Sequence, residues 1–112
     1  MRQYCLTIEL KNDEELIREY EKFHQQENIW PEIIESIRST GVHSMSIYRF
    51  GVILVMVLIV EDSFSFKDKA ERDKNNKYVQ DWERLMAKFQ KVKLDTSLES
   101  KWELVDPFFE LS

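Results

Sequence analysis

Tyr20 and His24 stand four residues apart, so a helix would hold a phenol and an imidazole on one face, one turn from each other. Histidine's ordinary pKa of about 6.5 suits it to give and take a proton near neutrality. With Trp30 shortly after, the set could make a small-molecule site worked by general acid–base chemistry. The same residues would equally suit the edge of a core. A metal site has less support. His24 and His43 lack close spacing, Cys5 is the only cysteine, and a zinc site usually wants about three or four ligands. No metal or cofactor is expected.

The elements that would position these groups alternate between two periods. Tyr4, Leu6, Ile8 and Leu10 fall on one face of a strand whose other face is more polar. Asn12 or Asp13 can cap the helix that follows, and Glu15 lies three residues after Asn12, as a capping box requires. Leu16, Tyr20 and Phe23 form its apolar stripe. The helix gives out in Gln25-Gln26-Glu27-Asn28, and Pro31 suits the first turn of a second helix running to Thr40, stopped by Gly41. Trp30 before that proline reads as a staple for the second helix.

Val42 to Phe50 reads as a strand and Gly51 as part of a tight turn. Val52 to Val60 has no polar position, which suits a central strand covered on both sides. The segment from Ser63 to Asn76 should hold a short helix and a loop, and its charge run, Lys67 to Lys77, reads as a solvated face. Tyr78, Trp82, Leu85, Met86 and Phe89 mark a strong helical stripe. Lys101 to Leu111 is extended, and Pro107, lacking an N–H, assigns it to a sheet edge.

This order predicts a single α+β domain over residues 1–112, of the ferredoxin-like split β-α-β kind. Its antiparallel four-stranded sheet carries helices on one face, with the first and third strands central. The third strand is apolar on the uncovered side too, so a homodimer with two sheets packed face to face is expected.

Composition excludes several classes. The 112 residues carry a net charge of −5 and 33% charged side chains, without the basic face of a nucleic-acid binder. The longest apolar run, Val52 to Val60, is far short of the roughly 20 residues a membrane helix needs. The N-terminus lacks a secretory pattern, and a cytoplasmic location is expected.

Tyr20 with His24, then Ile29-Trp30-Pro31-Glu32, Gly41-Val42-His43, Ile47-Tyr48, and Gln80 with Trp82 together resemble the L-rhamnose mutarotase family over nearly the whole chain. The resemblance implies a small dimeric α+β barrel that interconverts the α and β anomers of a free monosaccharide without metal or organic cofactor. It implies that His24 is the proton donor and that Tyr20 and Trp82 bind substrate. Met45 stands where the family has another sugar-contacting tyrosine, and Glu83 where it has a second tryptophan. Both are read as lining residues of the same site. The spacing from His24 to Trp30 is longer than the family's, and the hairpin at Gly51 shorter.

Mutarotation itself needs only a proton moved onto the ring oxygen and another taken from the anomeric hydroxyl. Glu32 or Glu83 could supply the base, or water could serve. An aromatic such as Trp82 can stack on a deoxy sugar, and the Tyr20 hydroxyl can orient one of its oxygens. The first functional expectation is a mutarotase acting on L-rhamnose or a related 6-deoxy or neutral hexose. The alternatives are a sugar- or metabolite-binding dimer without catalysis, and a cofactor-free dimeric α+β barrel oxygenase.

Overall fold

The computed structural model describes residues 1–91 and 101–111. Its elements run β1 (Arg2–Glu9), α1 (Glu14–Phe23), α2 (Pro31–Ser39), β2 (Val42–Phe50), β3 (Ile53–Val60), α3 (Phe66–Lys74), α4 (Lys77–Ala87) and β4 (Glu103–Val105). The strands form one antiparallel sheet in the order β2-β3-β1-β4. This is the ferredoxin-like α+β arrangement, with β1 and β3 inside and β2 and β4 at the edges.

The pleat explains how β3 can be apolar throughout. Leu6 pairs with Met56 and Ile8 with Leu54, and these residues, with Leu58 and Val60, turn toward the helices. Tyr20, Val79, Trp82, Met86 and Phe89 meet Ile8, Leu10 and Leu54 there to form the main core. Val55, Val57 and Ile59 point the opposite way and belong to neither core cluster. Tyr48, Phe50, Ile53 and Val105 continue that second face and are exposed. Burying one side of the sheet thus leaves an apolar side that no helix among the described residues covers.

Local signals set the ends of the elements. Asp13, not Asn12, caps α1: its Oδ1 accepts from the Glu15 N–H at 3.0 Å and the Leu16 N–H at 3.1 Å. Glu15 therefore lies inside the first turn, where its charge complements the helix dipole, and the Asn12–Glu15 capping box does not form. Asp13→Ala should cost about 1 kcal/mol of stability in urea unfolding. Gly41 ends α2 at φ +96°, a left-handed conformation that side chains disfavour. Gly51, at φ +63°, opens the two-residue hairpin between Phe50 and Ile53, the position where a type II′ turn needs glycine.

The last strand is shorter than its composition suggests. Pairing with β1 spans Glu103 to Val105, and Pro107 lies beyond it rather than within it. The edge position is as expected. Phe108, Phe109 and Leu111 continue past the strand, exposed. None of the helices among the described residues is long and apolar enough to cross a membrane.

Candidate functional site

A cavity of about 460 Å³ lies between the sheet and the helices, within the range of about 300–1,000 Å³ common for small-molecule pockets. Tyr20, His24, Met45, Trp82 and Glu83, the five residues singled out from the sequence, all line it. They reach it from α1, β2 and α4 because the β-α-β crossover stacks both helices over the same face of the sheet.

His24 occupies the C-cap of α1, where the helix ends and the ring is half-buried rather than enclosed. Its ring lies 4.4 Å from that of Tyr20 and 5.4 Å from that of Trp82, centroid to centroid. Trp30 backs Trp82 at 5.1 Å, so its packing partner is this tryptophan, behind the cavity wall. The imidazole Nδ1 sits 2.8 Å from the Tyr20 carbonyl oxygen. A carbonyl can only accept, so Nδ1 carries the proton, and the neutral ring keeps its lone pair on Nε2. Burial holds the His24 pKa below its ordinary value, with the carbonyl contact opposing. At neutral pH this is an uncharged imidazole whose free nitrogen is basic.

The neighbouring groups are tuned in the opposite sense. Burial pushes the Tyr20 hydroxyl up to about 12, a hydrogen bond from the Gln90 side chain opposes the shift, and the Glu83 charge adds to it. At neutral pH the Tyr20 hydroxyl therefore keeps its proton and can donate a hydrogen bond. Burial also raises the Glu83 carboxyl, while Lys101 and Lys69 oppose this and Asp73 adds to it. Lys101 Nζ forms an ion pair with Glu83 Oε2 at 3.0 Å and donates to the Glu83 carbonyl at 2.9 Å.

Several residues fall otherwise than their sequence context suggests. Lys69 and Asp73, within the supposedly solvated charge run, form an ion pair on the inner side of α3 and line the cavity. Their four-residue spacing was legible as a pair; the face it occupies depends on how α3 docks. Gln90 and Lys101 also line the cavity, although neither belongs to a periodic pattern. Of the two carboxylates considered as a base, Glu32 does not line the cavity and Glu83 does. His43 is exposed, with Nδ1 3.9 Å from Glu61. Among the described residues, no group of three or more His, Cys, Asp or Glu is placed to hold a metal ion.

Comparison with known proteins identifies the family and the fold. The model of a family described as L-rhamnose mutarotase matches residues 3–111. An L-fucose mutarotase of Xanthomonas campestris is 34% identical over 112 residues, covering 100% of this chain and 90% of that protein. A UPF0734 protein of Dictyostelium discoideum is 32% identical over 98% of this chain and 90% of its own. Among solved structures, an L-rhamnose mutarotase from Formosa agariphila superposes with a TM-score of 0.73 at 19% identity, covering 100% of both chains. Tetracenomycin F2 cyclase from Streptomyces glaucescens does so at 0.64 and 10% identity, covering 100% of this chain and 98% of its own. At such identities the two structures speak for the fold alone.

Proposed function

The chain belongs to the L-rhamnose mutarotase family, and from that premise we propose that this carbohydrate isomerase interconverts the α and β anomers of a free 6-deoxyhexose through His24. L-Fucose and L-rhamnose are the first candidate substrates, since relatives bear both names. The observation that carries the reading is the pinned tautomer of His24: Nδ1 is held by the Tyr20 carbonyl, at the wall of a cavity of sugar-binding size.

The chemistry follows from that nitrogen. Nε2 takes the proton of the anomeric hydroxyl as the bond between C1 and the ring oxygen breaks, leaving an aldehyde and an alkoxide. The imidazolium so formed gives its proton to the alkoxide, which becomes the hydroxyl of the open chain. Rotation about C1–C2 turns the other face of the carbonyl toward that hydroxyl, and the same steps reversed close the ring as the other anomer. His24 is regenerated, so no stoichiometric acid or base is consumed. Trp82 and Met45 offer apolar surface to the sugar ring and its C5 methyl group, and Tyr20 directs its hydroxyl to a sugar oxygen. Glu83 accepts a sugar hydroxyl at the polar end.

Saturation transfer between the anomeric proton signals tests the assignment. Added protein should speed exchange in L-fucose or L-rhamnose; binding without faster exchange would favour the non-catalytic sugar binder. The pH dependence has a definite sign. A base whose pKa lies below the ordinary histidine value is active above that pKa and lost as pH falls through it. The catalysed rate should therefore be flat near neutrality, with its acid limb below about pH 6.5. A rate that rose on acidification through that region would mean the protonated ring is the working form.

The uncovered face of the sheet belongs to the same proposal. Val55, Val57 and Ile59, with Tyr48 and Phe50, give it the apolar character of a surface meant for a second copy of the chain.

A further inference from the structure

Two features of the cavity are costly unless a ligand uses them. Lys101 has a side chain only 2% exposed, although it is a cation, and it is held in an ion pair with Glu83. Removing two charges from water often costs more than their attraction returns, and apolar residues of similar shape are commonly as stable. Gln90 is also 2% exposed, and its Oε1 has no hydrogen-bond donor among the described residues. A buried acceptor left without a partner is destabilising. Both residues line the cavity, whose sheet side includes Leu6, Met45, Ile47, Met56 and Leu58.

The backbone keeps these groups in place. Gln90 bridges to Leu10, with the Lys11 N–H donating to the Phe89 carbonyl at 2.9 Å and the Lys91 N–H to the Glu9 carbonyl at 2.8 Å. Tyr20 lines the same cavity, and its O–H can donate. Lys101 donates to the Glu83 carbonyl and pairs with the Glu83 carboxylate, and an ammonium group carries three N–H donors in all. Lys69 and Asp73 pair beside them. The four charges of this wall sum to zero, which suits an uncharged polyol and disfavours a sugar phosphate or uronate.

The geometry points to Gln90 and Lys101 as sugar-binding residues, which with Tyr20 and Glu83 form a wall of alternating donors and acceptors for the hydroxyl groups of a neutral monosaccharide. This rests on the mutarotase reading and identifies residues that the family resemblance does not single out. A hydroxyl entering the cavity would supply the donor that Gln90 Oε1 lacks, the terminal torsion of Gln being soft enough to turn toward it. Lys101 and Glu83 would offer an adjacent donor and acceptor to a second hydroxyl.

Two variants test the wall: Gln90→Leu, and the double change Glu83→Gln with Lys101→Met. Each replaces buried polarity by a group of similar size. Both should keep or exceed the parent's melting temperature, while KM for L-fucose or L-rhamnose rises about tenfold, with a smaller change in kcat. Gln90→Met provides a second variant should the leucine form not fold. An unchanged KM in the folded variants overturns the inference whatever happens to the melting temperature, because the groups would then be structural only. The failure of the mutarotase reading is separate: the unmodified protein would leave the anomer exchange of both sugars at its spontaneous rate.

Discussion

His24→Ala should slow protein-catalysed anomer exchange by about 10²–10⁴-fold, the usual contribution of one positioned proton-transfer group. The spontaneous reaction continues in water, so the quantity to follow is the excess rate per protein molecule, from saturation transfer at several protein concentrations. The loss should fall on kcat rather than on sugar affinity, since Trp82, Tyr20 and Glu83 remain to hold the ring. Folding should be little affected. The imidazole is half-buried at a helix end, and its one bond, to the Tyr20 carbonyl, is local. Retention of more than a tenth of the excess rate would remove His24 from the chemistry. An unfolded variant is no substitute for that result, so melting curves belong beside the kinetics.

Val57→Glu should convert a dimer into a monomer. Val57 lies in the middle of β3 on the face without helices, paired with Cys5 on one side and Ser46 on the other. If a second copy covers this face, the substitution buries an unpaired carboxylate at the centre of the interface. A cost of about 3–5 kcal/mol is usual for such a charge, which weakens association by roughly 10²–10⁴-fold. Sedimentation equilibrium would show the parent at twice 13.6 kDa and the variant at the single mass. Ser46→Glu, one strand nearer the edge, should have a smaller effect. A parent protein that sediments as a monomer would remove the dimer from the account while leaving the cavity and its chemistry intact.

The fold was legible where burial repeats with the period of an element. The alternation from Tyr4 to Leu10 and the unbroken apolar run ending at Val60 mark the two central strands, because a strand covered on one face alternates and one with apolar surroundings on both does not. Signals shared between neighbours were less sharp. Asn12 and Asp13 are both good caps, and only the geometry of the chain entering α1 selects Asp13. Pro107 correctly indicated an edge, but the strand ends before reaching it.

The site was legible on its aromatic side, where Tyr20, His24 and Trp82 carry both helical spacing and family likeness. Its polar side was not. Lys69 and Asp73 look like any i, i+4 surface pair until α3 is docked, and Lys101 is a basic residue ahead of a short strand. Gln90 follows an apolar stripe in a position that residue type alone would place in solvent. Burial of polar side chains is a tertiary fact, set by what packs above them, and it leaves no periodic trace in the chain.

The account turns on the protonation of a single ring nitrogen, and ¹⁵N NMR of the histidine imidazoles reads it directly. At pH 7 the His24 signals should be those of a neutral ring with the proton on Nδ1, and the free Nε2 should move on titration with the turned-over sugar. A ring protonated on both nitrogens at that pH, or a proton on Nε2 with no response to sugar, would contradict it.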